Sequence, residues 1–195
     1  MALIYFGEEW DKNYNCSFYN YESRPIQQRL DIPLGSLYLV TFAFVWILYI
    51  PCVIAMCDRT LLKHSCYKLM LYLAILDLNT SIYVGFWAGF INVTGIHFCA
   101  SRTVIFWIGC LNSVAWRAQS TATCLLAFNR CIDAYNKQWG KFLFHGYKTY
   151  FWMMLPILYG GTYMIIGCPG IFSPIYSSIL YNPHAGYAED HNNST

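Results

Sequence analysis

Charge is what this sequence has least of. Asp, Glu, Lys and Arg make up 11% of its 195 residues, where an ordinary soluble domain carries about 25%. A formal net charge of +2, with no basic run, gives a nucleic acid nothing to hold. Catalytic motifs are missing as well: there is no CxxC, GxSxG, HExxH or phosphate-binding glycine loop. The five histidines, His64, His97, His145, His184 and His191, are scattered, and no pair has metal-ligand spacing. The expectation is therefore of no enzyme, no cofactor and no metal. The opening MALIYFGEEWDK has no basic n-region, so a cleaved signal peptide is not expected. No large cysteine-rich outer loop suggests a tetraspanin. Neither internal repeats nor a path of charges suggests a transporter or channel.

What the chain does have is apolar residues in long blocks, 57% of the total, and 19% aromatics. Four blocks exceed the roughly 18 residues that mark a membrane span. They lie at about 33–57, 69–95, 103–129 and 149–168. The expected fold is an all-α membrane protein, a bundle of four transmembrane helices. Residues 1–31 form an external tail, 32–168 the membrane region, and 169–195 an external loop or tail without Lys or Arg. Seven Lys and Arg flank one side: Arg59, Lys63 and Lys68 in one loop, Arg130, Lys137, Lys141 and Lys148 in another. Four lie on the other side. The positive-inside tendency then puts the N-terminus outside. Asn15, Asn192 and Asn193 begin sequons on that external side and are glycosylation candidates. Cys16, Cys99 and Cys168 lie there too, where disulfides form. Cys99 has either Cys168 or Cys16 as its partner.

The third block is the centre of the chain. Of the 27 residues between Arg102 and Arg130, only Arg117 is charged. On a 3.6-residue period Asn112, Trp116, Gln119, Ser120 and Thr123 share one face, with Thr121 as the exception. A polar stripe in a membrane helix faces protein or a cavity, which makes Asn112, Trp116, Gln119 and Ser120 ligand-facing candidates. Helix–helix hydrogen bonding is the competing reading of the same stripe. In the second block Ser81, Gly85 and Gly89 form a small-residue run that lets another helix approach. Trp87 and Trp107 are expected near the outer membrane interface and Trp152 near the inner one. Asp77 and Arg117 come out at depths differing by about 6 Å. They are expected to point into the bundle and to pair, directly or through water. The alternative is a protonated Asp77 bonded to Ser or Asn, with Arg117 turned elsewhere.

A Cys opening the third block, an Asp in LAILD and Asn129-Arg130-Cys131 at the inner end resemble the rhodopsin-type receptors, whose corresponding triplet is Asp/Glu-Arg-Tyr. LYIPCVIAM, SCYKLM, a Gly followed by Phe-Cys, LAFNRC and PGIFSP occur in that order over residues 33–185. The ordered set is similar to the nematode serpentine chemoreceptors of class T. That resemblance implies a multi-pass receptor of the plasma membrane. It would bind an unknown small molecule or peptide, with Asn129, Arg130 and Cys131 on the side of a heterotrimeric G protein if a full-length form exists. The first block lacks the Asn of the rhodopsin-type sodium network, and the chain ends after four spans of an expected seven. The expectation is of a truncated or incomplete receptor unable to signal alone. The alternative is a four-span scaffold or regulatory protein that is no receptor.

Overall fold

The structure, a computed structural model, describes residues 14–17 and 25–186. Helices dominate it: α1 (Ile32–Met56), α2 (Ser65–Thr94), α3 (Arg102–Tyr135), α4 (Lys137–Phe144) and α5 (Lys148–Ile166). A hairpin of β1 (Ile171–Ser173) and β2 (Ser178–Leu180) follows, antiparallel, with Phe172 opposite Ile179. Among the described residues α1 and α2, 25 and 30 residues long, are long and apolar enough to cross a membrane. α3 and α5, at 34 and 19 residues, have the length of a span and fall short of the same measure of hydropathy. Two of the four expected spans thus meet the measure in full.

The chain forms two compact units. The first comprises Met1–Phe42, Ile82–Ser113 and Tyr163–Thr195; the second comprises Ala43–Ser81 and Val114–Thr162.

In the first unit α1 starts at Asp31, whose carboxylate accepts the Leu34 N–H at 3.1 Å and so satisfies one of the helix's orphan donors. Gly35 of α1 and Gly89 of α2 meet back to back. A Cβ on either would stand 3.0 Å from the other's carbonyl oxygen, so only glycine permits this approach. α2 widens into a π-helical stretch at Ile82–Trp87. Each such turn holds more residues than an α-turn, so side chains beyond it are rotated from where a regular helix would point them. The unit's core is Tyr14, Phe98, Ile105, Phe106, Cys110 and Ile171. Tyr14 and Phe106 meet edge to face at 5.2 Å, a geometry worth about 0.5–1.5 kcal/mol beyond burial.

In the second unit the core is Leu69, Leu125 and Phe144. Trp152, expected at the inner interface, packs on Phe144 with ring centroids 5.6 Å apart and donates its indole N–H to the Leu143 carbonyl at 3.2 Å. α4 lies within the basic loop between the third and fourth apolar blocks. Asn136 caps it by accepting the Gln138 N–H at 2.8 Å. Buried Thr149 donates its hydroxyl to the Phe144 carbonyl and ties α4 to α5.

Candidate functional site

A cavity of about 220 Å³ lies within the first unit. Tyr38 of α1 contributes to its wall, as do Tyr83, Trp87 and Ile91 of α2. α3 supplies Ile105, Ile108, Gly109 and Asn112, and the hairpin supplies Phe172, Ser178 and Ile179. Among the described residues none that lines it is charged. The π-helical stretch contains Tyr83 and Trp87, and Trp87, expected near the outer membrane interface, lines the cavity. A Cβ on Gly109 would meet the Gly170 carbonyl oxygen at 2.6 Å, so the chain entering β1 lies directly on the α3 backbone. At the hairpin tip Ser177 adopts the left-handed region, φ 47°. It donates its hydroxyl to Asn92 Oδ1 at 3.1 Å, a bond that helps hold a conformation most side chains avoid.

The polar stripe of α3 is divided among different tasks. Asn112 lines the cavity, and its carboxamide oxygen is buried with no hydrogen-bond partner among the described residues. Gln119, in the second unit, donates from Nε2 to Asp77 Oδ1 at 2.6 Å, and the Tyr49 hydroxyl donates to Asp77 Oδ2 at 2.8 Å. Ser120 and Thr123 donate to the carbonyls of Trp116 and Gln119 in their own helix, both at 2.9 Å. Trp116 is 61% exposed. The stripe admits a ligand-facing surface or helix–helix hydrogen bonding. One of its members reaches the cavity, one meets a carboxylate, and the hydroxyls close on their own backbone.

The same contacts occupy the Asp77 carboxylate, for which pairing with Arg117, directly or through water, is the expectation. Both Asp77 oxygens accept from Tyr49 and Gln119, and Arg117 is not among its hydrogen-bonding partners. The reason is angular. Gln119 follows Arg117 by two residues, about 200° around the helix, so facing one toward Asp77 turns the other away. Depth alone had matched the charges, and depth says nothing of direction.

At the inner end of α3, Asn129 is fully buried and donates to Ser65 Oγ at 3.4 Å. Arg130 is exposed, with its guanidinium 3.3 Å from Met70 Sδ, and Cys131 is exposed. In the first unit Cys16 is bonded to Cys99 with Cα atoms 5.8 Å apart, and Cys168 is outside that bridge. Asn15 beside it accepts the Ser17 N–H on its side-chain oxygen at 2.9 Å. Asn192 and Asn193 lie outside the described residues. Next to the bridge His97 is 2% exposed. Burial, then His184, then Arg29 press its imidazole pKa down to about 4.

Sequence reasoning missed Tyr38, Tyr83, Phe172 and Ile179. The hairpin did carry a signal: IFS and SIL are short apolar pieces around a turn-forming SPIYS. The π-helical stretch carried none that periodicity could reveal.

Apolar helices long enough for a bilayer, and a small cavity walled by helices and a hairpin, are the architecture of a helical membrane receptor. The model of the serpentine type 7TM GPCR chemoreceptor Srt family matches residues 1–195, and the chain belongs to that family. Neither a curated protein nor a solved structure matches it.

Proposed function

We propose that this chain is a multi-pass chemosensory receptor of the plasma membrane with its N-terminus outside. Its ligand occupies the cavity beside Asn112, and the Asn129–Arg130–Cys131 motif lies on the side of a heterotrimeric G protein, with Arg130 and Cys131 exposed to it and buried Asn129 anchoring the motif on Ser65. In this reading α3 and α5 join α1 and α2 as membrane spans. The chemistry is a ligand-dependent shift among helix arrangements, with no bond made or broken. The cavity is the observation that carries the reading: it is concave and mostly apolar, and Asn112 on its wall has a side-chain oxygen with no hydrogen-bond partner among the described residues. The orientation draws support from the Cys16–Cys99 bridge, because disulfides persist on the oxidising side of a membrane. The seven Lys and Arg of the opposite loops agree with it.

The test is a ligand-observed NMR screen of the chain in lipid nanodiscs against a mixed panel of neutral, cationic and anionic small molecules. Ile108→Trp fills the cavity from α3, and Ser178→Phe fills it from the hairpin. Compounds whose signal is lost in both variants are cavity ligands. A panel with no variant-dependent signal contradicts the reading.

A further inference from the structure

The short helix between α3 and α5 has no part in the cavity, and its exposed face fits a different partner. Resting on the reading of α3 and α5 as membrane spans, we propose that α4 docks on an anionic phospholipid surface. The rings of Trp139 and Phe142 enter the headgroup region, and the ammonium groups of Lys137 and Lys141 reach the lipid's negative groups.

The setting of the helix is fixed by the fold. Phe144 is buried and packs on Trp152, and a Cβ on Gly140 would run into the Asp133 carboxylate. That side of α4 belongs to the protein, with the neighbouring acid behind it. At about 100° per residue, exposed Lys137 and Lys141 come next around the helix. Phe142 and Trp139 follow, 64% and 58% exposed. The apolar arc of α4 is thus wider than its contact with protein, and the uncovered part shares the surface with a cationic strip. That is the pattern of a helix lying in a membrane interface, where lysine stems run along apolar surface and their charges reach outward.

Position says which surface is in reach. Asn136 alone separates α3 from α4, and residues 145–147 join α4 to α5, so α4 stays at the end of both helices. Lys148, the first residue of α5, holds its ammonium 4.5 Å from the centre of the Phe142 ring and donates to the Phe142 carbonyl at 2.7 Å. Lys148 also heads a stripe of α5 continued by Phe151, Leu155 and Leu158, all exposed. On the span reading that stripe meets lipid tails, and Phe142 lies at its foot, where headgroups begin. Each Lys near an anionic leaflet strengthens attachment by about fivefold.

The test compares the full chain in nanodiscs of phosphatidylcholine alone and of phosphatidylcholine with phosphatidylserine. The readouts are hydrogen exchange of the α4 amides and quenching of tryptophan by lipids brominated near the top of the acyl chain. Exchange of α4 is expected to be about fivefold or more slower in the anionic discs, and high salt to remove the difference. Lys137→Gln with Lys141→Gln, which keeps helix propensity, should remove most of it. Trp139→Phe should carry away part of the quenched emission. Equal α4 exchange in the two discs, or quenching unchanged by Trp139→Phe, overturns the proposal. So does an α4 that ignores lipid composition and slows only when a heterotrimeric G protein is added, which marks the face as a protein surface. These results leave the receptor reading standing. Fast exchange of the α5 amides at 151–158 in both discs overturns the span reading and the proposal together.

Discussion

Asn112 and Gln119 sit seven residues apart on one face of α3, yet they live in different surroundings. In the first unit Asn112 borders a cavity with its oxygen unmet. In the second, Gln119 closes on Asp77, whose other oxygen takes the Tyr49 hydroxyl. The same residue class on the same stripe therefore serves two purposes. A polar side chain whose bonding is complete holds helices together. The two units differ likewise in what fixes them: a disulfide and an aromatic cluster in one, a carboxylate network and an aliphatic–aromatic core in the other.

Removing the covalent tie should separate the units most strongly. The Cys16–Cys99 bridge spans 83 residues, and the chain-entropy relation assigns such a loop about 4.5 kcal/mol. Cys99→Ser should lower the melting temperature by several degrees and raise hydrogen exchange at Phe98–Phe106. Exchange around Leu69 and Leu125 should change far less. Equal loosening of both cores would erase the contrast.

Acid should act on the first unit next. His97 is held near pKa 4, below the unfolded value of about 6.5, so the fold favours the neutral imidazole. Its contribution is complete above about pH 6.5 and declines as pH falls from there toward 4, because the unfolded chain takes up the proton first. The full loss is on the order of 3 kcal/mol. Thermal melts from pH 7.5 to 4 should show this slope, and His97→Gln should flatten it.

The carboxylate network of the second unit should give a smaller effect. Gln119→Leu removes one donor from a half-buried carboxylate, which costs about 1 kcal/mol. A double-mutant cycle between Asp77 and Gln119 should return a coupling of about 1 kcal/mol or more, and the cycle between Asp77 and Arg117 a value near zero. A large Asp77–Arg117 coupling would restore the charge pair that the helix angle argues against.

Some of this was legible in the residues. Apolar runs located the helices. The Ser81, Gly85 and Gly89 spacing marked where α1 comes close: a Cβ on Gly85 would meet Phe42, and one on Gly89 would meet Leu39 and Gly35. Cys16 was one of two partners open to Cys99. The cavity wall was hidden for physical reasons. The π-helical stretch breaks the period by which Tyr83 and Trp87 would have been assigned a face. The hairpin is only three residues a side, and its tip is set by Ser177 bonding to Asn92, a contact between residues 85 positions apart. A helical wheel gave the direction of Asn112 and Gln119, and nothing in it could say which would meet a partner.

The least expected loss of stability belongs to Asn112→Leu, since replacing an unmet polar group by an apolar one of similar shape is close to neutral or slightly favourable. That sets up the most direct measurement: melting temperature and affinity for a cavity ligand from the mixed panel, determined together for Asn112→Leu and Gln119→Leu in nanodiscs. The expected result is crossed. Asn112→Leu keeps its melting temperature and loses about tenfold in affinity, while Gln119→Leu melts several degrees lower and binds as before. If Asn112→Leu instead melts lower with its affinity intact, or both variants lose stability and binding alike, the division of the α3 stripe into a structural and a ligand-bearing part is wrong.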